Sequence, residues 1–494
     1  AYGFSDLDAK LRVEPNQLFE IGSITKSFLA ILLLQLRDEG KIDLHQPISE
    51  SMPWLRIESQ FAPITLHHLL THTSGLPSGP VFPSDPAVKY RAVHAPGEHF
   101  HYNNMGFAAM GHVAESKYHA TFPEIVRERI FKPLAMNETE GAISFDIRDR
   151  LVKNYWAYMA DRPYLRYGQL SEAPQLVMSR ASGCIAATAH DMGLYMQMLA
   201  NGGKAVNDRL LSEQSFTDFA TPHVKAEDFG PTASYGYGIA VDTLNGHKIL
   251  RHTGGMVSFA SAMQVDADAG IGAFASINAM QGYRPNAVAQ YAIQLMRAVR
   301  EGKPLPDSPE IPDPTQVKDP ERYSGSYRGA HETLEFVHQN KKLLLVTGSQ
   351  RIRLEAAGQD RFLAPSGPFR KFLFVFGRAD ETDSQSPFVE VGYGPDLYTN
   401  SKYNVSTAIT PQASPPYVGH YHSESPWNGS VRIVMRKGKL MIDGVVPLEA
   451  GPNGIFYLRD EPHSPEWIQF FDVVDGRAMR LRLSGEDFWR VAVD

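Results

Sequence analysis

The stretch Phe19–Leu44, FEIGSITKSFLAILLLQLRDEGKIDL, sets a serine and a lysine at the entrance of one of the most apolar segments of the chain. From Ile24 to Leu36 apolar residues recur at three and four positions and then continue almost all round, which predicts a buried helix rather than a half-exposed one. Ser23 stands where an N-cap or first helical residue would stand. Lys26 follows at i+3, so the two side chains lie on one face about one turn apart. A charged group in the first turn of a buried helix is costly. The ordinary reading of an isolated S-x-x-K is a serine cap followed by a lysine that reaches solvent along its stem. The other reading is a serine nucleophile whose proton is managed by a desolvated lysine, because burial disfavours the ammonium and lets the amine act as a base near neutral pH.

Composition narrows the field before the choice is made. At 494 residues, with 43% hydrophobic and 21% charged residues, the chain is an ordinary globular sequence with room for two to four domains. The net charge is -7 and no window concentrates Lys and Arg, so there is no electrostatic footprint for nucleic acid or an anionic membrane. A small-molecule ester, amide or short peptide substrate is the expected partner; oligomeric state and compartment stay open. The longest uninterrupted apolar run, Phe28–Leu34, is far short of the ~20 residues of a spanning helix, so no membrane anchor is expected. Cys184 is the single cysteine, which excludes an internal disulfide and a Cys-based metal site. The opening AYGFSDLDAKLRV reads as the second half of a β-hairpin, with its first strand expected to be missing.

Residues 1–303 alternate helical periodicity, at Phe122–Phe131, Ala189–Ala200 and Ala287–Arg300, with strand-like runs such as HKILRHTG and GIGAFASI. This predicts an α/β or α+β domain. Five prolines in the polar stretch Gly302–Gln316 then mark a stiff linker, set at residues 304–318. The remainder is a series of short β-rich runs with turn residues between them. Tyr323, Leu354 and Phe362 recur as Tyr417, Leu448 and Phe456, each at an offset of 94 residues. One offset shared by separate matches predicts two copies of one β-meander, at 319–406 and 412–494. Each copy has about eight runs, enough for a small closed barrel; one larger barrel shared by both is the alternative.

Two further motifs decide the reading of Ser23 and Lys26. APGEHFHYNNMGF contains Tyr102-Asn103-Asn104, and LRHTGGMVSF contains His252-Thr253-Gly254. S-x-x-K, then Y-x-N, then a basic residue with Thr-Gly, in that order, resembles the serine β-lactamase and penicillin-binding-protein superfamily. The closer likeness is to its class C-like branch of esterases and D-aminopeptidases, the S12 peptidase type. LLTHTSGLP (69–77), IFKPLAMNET (130–139) and SRASGCIAATAHDM (179–192) extend the resemblance over nearly the whole first domain. Tyr398-Thr399-Asn400 also fits Y-x-N, but lies outside the order.

The resemblance implies an α/β (α+β) serine β-lactamase-like domain, its antiparallel sheet flanked by helices, followed by two small all-β barrels. It implies a serine hydrolase that forms an acyl-enzyme and needs no metal or organic cofactor. Ser23 would be the nucleophile, and Lys26 and Tyr102 would handle its proton, either serving as base. Asn104 would bond the amide of the acyl side chain, with His252, Thr253 and Gly254 lining the substrate. The backbone N–H groups of Ser23 and Gly255 would form the oxyanion hole. The commonest family pattern has lysine where this chain has His252, which is mostly neutral at pH 7 given a reference pKa of ~6.5. A permanent anchor for a substrate carboxylate is thereby lost, which ranks esters and amides of small or D-configured amino acids above β-lactams and DD-peptides. A non-catalytic binding protein that works through its barrels is the rival from another class. His68 and His72, at i and i+4 on an expected helix, invite a metal reading, but no HExxH glutamate accompanies them. Cys184 sits in a small-residue phrase and is expected to be packed rather than reactive. The turn-rich segments Gly392–Ser401 and Tyr421–Ser430 are candidates for loops that restrict substrate entry.

Overall fold

The computed structural model describes residues 1–82, 85, 87–159, 162–205, 209–279, 284–403, 416–436, 438–459 and 463–492. These form two units, one of Ala1–Trp156 with Leu170–Pro309, the other of Ala157–Gln169 with Glu310–Asp494.

In the first unit the apolar run after Ser23 is helix α1 (Thr25–Asp38), buried continuously from Thr25 to Leu36. It stops where Gly40 takes a φ of +71 and the Lys41 N–H returns to the Leu36 carbonyl, a glycine-terminated cap. The helix does not begin at Ser23. Gly22–Ile24 form a single 3-10 turn ahead of it, and no side chain caps it, so the Ser23 hydroxyl is not spent on helix N–H groups. Helix α2 (Asn104–Tyr118) is capped by Asn103, whose Oδ1 accepts the Gly106 N–H at 2.7 Å. Helices α3 (Ala189–Ala200) and α4 (Pro285–Arg300) open on a Thr188 cap and on a proline in the first turn. The segment from Phe122 is α-helical to Val126 and continues as a wider π-type turn to Phe131.

Strands β1 (Phe19–Glu20) and β2 (Ala186–Ala187) make a short antiparallel pair. A six-stranded antiparallel sheet is built from β3 (Val224–Lys225), β4 (Ser234–Tyr235), β5 (Ala240–Leu244), β6 (His247–Gly255), β7 (Ala260–Asp266) and β8 (Ile271–Ile277). Its order is β8-β7-β6-β5-β4-β3. Alternation along β7 sorts its faces: Met263 and Val265 join the main core with α1 and α3, whereas Ala262 packs with Ala273, Ala289 and Ile293 under α4. The sheet is thus covered by helices on both faces. In the opening segment Phe4–Asp6 pairs with Leu11–Arg12 as a short hairpin. No helix among the described residues is long and apolar enough to cross a membrane.

The second unit holds two separate β structures, which removes the single shared barrel. The strands from Gly419 to Val491 form a closed eight-stranded barrel, sealed by pairing of His420–His422 with Trp489–Val491. The strands from Gly325 to Asn400 form a nine-stranded sheet whose first and last strands pair through Tyr327 and Asn400. Its two ends, Gln350–Arg353 and Glu355–Ala356, are consecutive in the chain, so the sheet is nearly closed. No ladder joins them: the Ala356 N–H goes instead to the Pro314 carbonyl. Positions 94 residues apart make equivalent contacts. Tyr327 donates its hydroxyl to the Tyr323 carbonyl at 3.1 Å, and Tyr421 donates to Tyr417 at 2.8 Å. Tyr323 packs on Phe362 and Phe376, and Tyr417 on their counterparts Phe456 and Phe470. Gly392–Ser401 is not a free loop: most of it is a tight hairpin between Phe388–Tyr393 and Asp396–Asn400, with the Tyr398 hydroxyl donating to Glu332.

Candidate active site

Helix boundaries bring the motifs together. Ser23 stands in the 3-10 turn before α1, and Lys26 is the second residue of α1, at the start of its buried run. Tyr102 precedes the Asn103 cap of α2 and Asn104 is the helix's first residue, so the middle asparagine of Y-x-N fixes the backbone between the other two. Asn103 is itself anchored, its Nδ2 donating to the Leu76 and Pro77 carbonyls at 2.6 and 3.0 Å. His252, Thr253, Gly254 and Gly255 form the end of β6. Two glycines permit close approach there. Gly22 has a φ of +52, and a Cβ on it would stand 2.7 Å from the Gly255 carbonyl oxygen and 2.9 Å from its nitrogen. A Cβ on Gly254 would collide with the Ile21 carbonyl. The peptide units of Ser23 and Gly255 therefore lie at one corner.

Lys26 is fully buried. Its Nζ lies 2.9 Å from Ser23 Oγ and donates to Asn104 Oδ1 at 2.7 Å and to the Ser182 carbonyl at 2.8 Å. Burial pushes the amine well below the usual lysine range. Tyr102 hydrogen-bonds Ser23, and its ring lies 4.8 Å from the Lys26 nitrogen. Burial pushes this phenol up, with the Ser23 bond opposing. Ser23 and Tyr102 keep part of their surface open, while Asn104, Thr253 and Gly255 are exposed; Lys26 lies behind them.

His252 also lies behind. Its Nδ1 donates to the Thr253 carbonyl at 2.6 Å, since a carbonyl only accepts, and its Nε2 must then accept the Tyr235 hydroxyl at 2.9 Å. Both ring nitrogens are engaged, the residue is 1% exposed, and burial, with Lys26 adding, drives its pKa to about 3. The ring is neutral and presents no nitrogen to a ligand; it holds Tyr235.

Residues 1–297 match the Beta-lactamase family. The chain belongs to that family. Protein flp of Staphylococcus aureus (strain MW2) is 31% identical over 155 residues, which are 28% of this chain and 31% of that protein, so the chain spans about a third of that relative's length. An uncharacterized protein of Mycobacterium tuberculosis (strain CDC 1551 / Oshkosh) is 29% identical over 266 residues, 46% of this chain and 66% of the relative. Among solved structures, the octameric penicillin-binding protein homologue from Pyrococcus abyssi has a TM-score of 0.53 at 22% identity, covering 80% of this chain and 91% of that one.

In this beta-lactamase family member, sequence reasoning missed the Ser182 carbonyl, the Tyr235 hydroxyl and the His72 ring. Their signals were the phrases SRASGC, SYGYG and LLTHTSG, which say nothing of contacts by themselves. His68 and His72 do not share a helix face. The helix Leu66–Leu70 ends between them, and His68 Nδ1 accepts the Thr65 N–H at 3.1 Å. Cys184 is buried, lies 3.2 Å from the Gly141 carbonyl, and burial pushes its thiol up. Gly254→Ala is expected to cost at least about 2 kcal/mol of stability, because the collision is with main chain that cannot move aside without displacing Ser23. Thermal melting of the variant checks this.

Proposed function

We propose that the chain is a serine hydrolase that cleaves esters, or amides of small or D-configured amino acids, through an acyl-enzyme on Ser23. The observation that carries this is the coordination of Lys26. Asn104 Oδ1 and the Ser182 carbonyl take two of its N–H groups, and a neutral amine has only two. Its lone pair is then left for the third contact, the Ser23 hydroxyl at 2.9 Å. Burial favours that neutral form. Lys26 is therefore the better base of the two candidates, and Tyr102, pushed up rather than down, the better proton donor.

In the first step Ser23 Oγ attacks the substrate carbonyl carbon while its proton passes to Lys26. The carbonyl oxygen becomes an oxyanion facing the Ser23 and Gly255 N–H groups, for which the glycine contact between Gly22 and Gly255 makes room. Collapse expels the alcohol or amine, which leaves with a proton from Tyr102. Tyr102 is restored by the proton held on Lys26. Water repeats the cycle on the acyl-enzyme and releases the acid. Asn104 is exposed beside Ser23 and suits the role of hydrogen-bonding the acyl part. The neutral, engaged His252 gives no cation for a substrate carboxylate, which argues for esters and D-configured amides over penicillins and DD-peptides.

The test compares initial rates on p-nitrophenyl butyrate and on D- and L-alanine p-nitroanilide, followed by acid quenching and peptide mapping. A butyryl or alanyl mass on the peptide containing Ser23, with the L-anilide the poorest of the three, is the expected result. An inert protein with no acyl peptide would favour a binding role, and faster acylation by a fluorescent penicillin than by either other class would favour the penicillin-binding activity.

A further inference from the structure

His72 lies just beyond the helix Leu66–Leu70, fully buried and in the left-handed conformation with a φ of 58. That backbone is costly for a residue with a side chain, and glycine would adopt it freely. What the side chain gives in return is visible in its bonds. The His72 carbonyl accepts the His101 N–H at 2.8 Å, and its ring Nδ1 accepts the Asn103 N–H at 2.9 Å. The two bonds grip the chain on either side of Tyr102. The ring also lies 4.4 Å from the Tyr102 ring at 35°, with Phe107 and Tyr235 each 4.9 Å away.

A backbone amide only donates, so Nδ1 carries no proton and the neutral ring is protonated at Nε2. That Nε2 is buried with no hydrogen-bond partner among the described residues. A protonated ring would turn Nδ1 into a donor facing a donor. Burial holds the ring neutral.

We propose that His72 is a positioning residue for Tyr102, its Nδ1 fixing the Asn103 amide so that the phenol is held on Ser23 while the His72 carbonyl fixes the preceding turn. This rests on the serine hydrolase reading. Loss of the acceptor would leave Tyr102 present but loosely aimed, which slows proton transfer without weakening substrate binding.

His72→Gly and His72→Asn separate the acceptor from everything else. Both tolerate the left-handed backbone and both lack the ring, but asparagine places an oxygen where Nδ1 was. On p-nitrophenyl butyrate, His72→Gly is expected to lose about 10- to 100-fold in kcat with KM within about threefold, and His72→Asn to recover at least about fivefold of that loss. Amide hydrogen exchange at Asn103 is expected to speed up about tenfold or more in His72→Gly and to return toward wild type in His72→Asn. Unchanged kcat in a folded His72→Gly, or no recovery in His72→Asn, overturns the proposal. If wild type and Ser23→Ala are equally inert, the hydrolase reading has failed, and exchange at Asn103 decides alone: equal rates in wild type and His72→Gly overturn the grip on Tyr102, and faster exchange reversed by asparagine upholds it.

Discussion

Lys26→Met is expected to lower kcat on any ester or amide that the wild type hydrolyses by about 1,000-fold or more, with Ser23→Ala as the background control. Methionine has nearly the length and volume of lysine but offers no nitrogen, so it removes the proposed base and leaves the packing. Two opposing effects act on stability. A buried amine is relieved of its desolvation, while Asn104 Oδ1 and the Ser182 carbonyl lose their donor. The melting temperature is therefore expected to move little, so that a large loss of rate is not mistaken for unfolding. The pH profile gives a second readout. Because burial lowers the pKa of Lys26, wild-type kcat/KM rises as pH climbs through that lowered value and is flat above it, well before the ordinary lysine range. In Lys26→Met that rising limb is lost. Lys26→Arg keeps a cation that does not deprotonate, and wild-type activity in it would overturn the assignment of Lys26 as base.

The second large effect is on stability. Glu20 stands three residues before Ser23 in β1, is 2% exposed, and its Oε1 has no hydrogen-bond partner among the described residues. Burial pushes its carboxyl up to about 8, from an ordinary value of 4.5. Below the unfolded value both states are protonated and the buried carboxyl carries no ionisation penalty. As pH rises from there to about 8, the unfolded chain releases a proton that the folded one keeps, and stability falls by about 1.4 kcal/mol per unit. The whole loss is about 4–5 kcal/mol, and it levels off above the folded value. Glu20→Gln has no proton to release. Melting temperatures measured between pH 5 and 9 are expected to decline in the wild type and to stay nearly level in Glu20→Gln, with the variant melting higher at pH 8. Parallel declines in the two proteins would mean that some other group governs the slope.

The parts of the site that were legible in sequence are those set by local periodicity. Ser23 and Lys26 meet because the 3-10 turn of Gly22–Ile24 runs straight into α1 and keeps positions i and i+3 on one side. Tyr102 and Asn104 flank a residue type that caps helices. The offset of 94 was legible because it falls on side chains that do equivalent work: the Tyr323 and Tyr417 rings pack on Phe362 and Phe456, and the Tyr327 and Tyr421 hydroxyls donate to the main-chain carbonyl four residues before. What was illegible depends on contacts across the fold. Ser182 contributes only a carbonyl, and a main-chain atom leaves no residue type behind it. His252 read as a side chain facing a ligand, yet alternation along β6 and the Tyr235 hydroxyl turn it inward. His72 read as one turn beyond His68 because nothing in the letters announces a histidine with positive φ. The seam of the nine-stranded sheet depends on where the Ala356 N–H goes, which is settled by Pro314 in the proline-rich segment.

The close approach of Gly22 to Gly255 has a consequence for the birth of the protein. These two residues are separated by 233 positions in the chain. At synthesis rates of about 5–20 residues per second, the strand that covers the serine turn leaves the ribosome roughly 10–50 s after it. During that interval α1 has no sheet to lie against, and its apolar run Phe28–Leu34 is a ready target for chaperones or for another nascent chain. High contact order of this kind makes folding slow and expression temperature-sensitive. Covalent labelling of Ser23 would then count only those molecules in which both ends of this long loop have met.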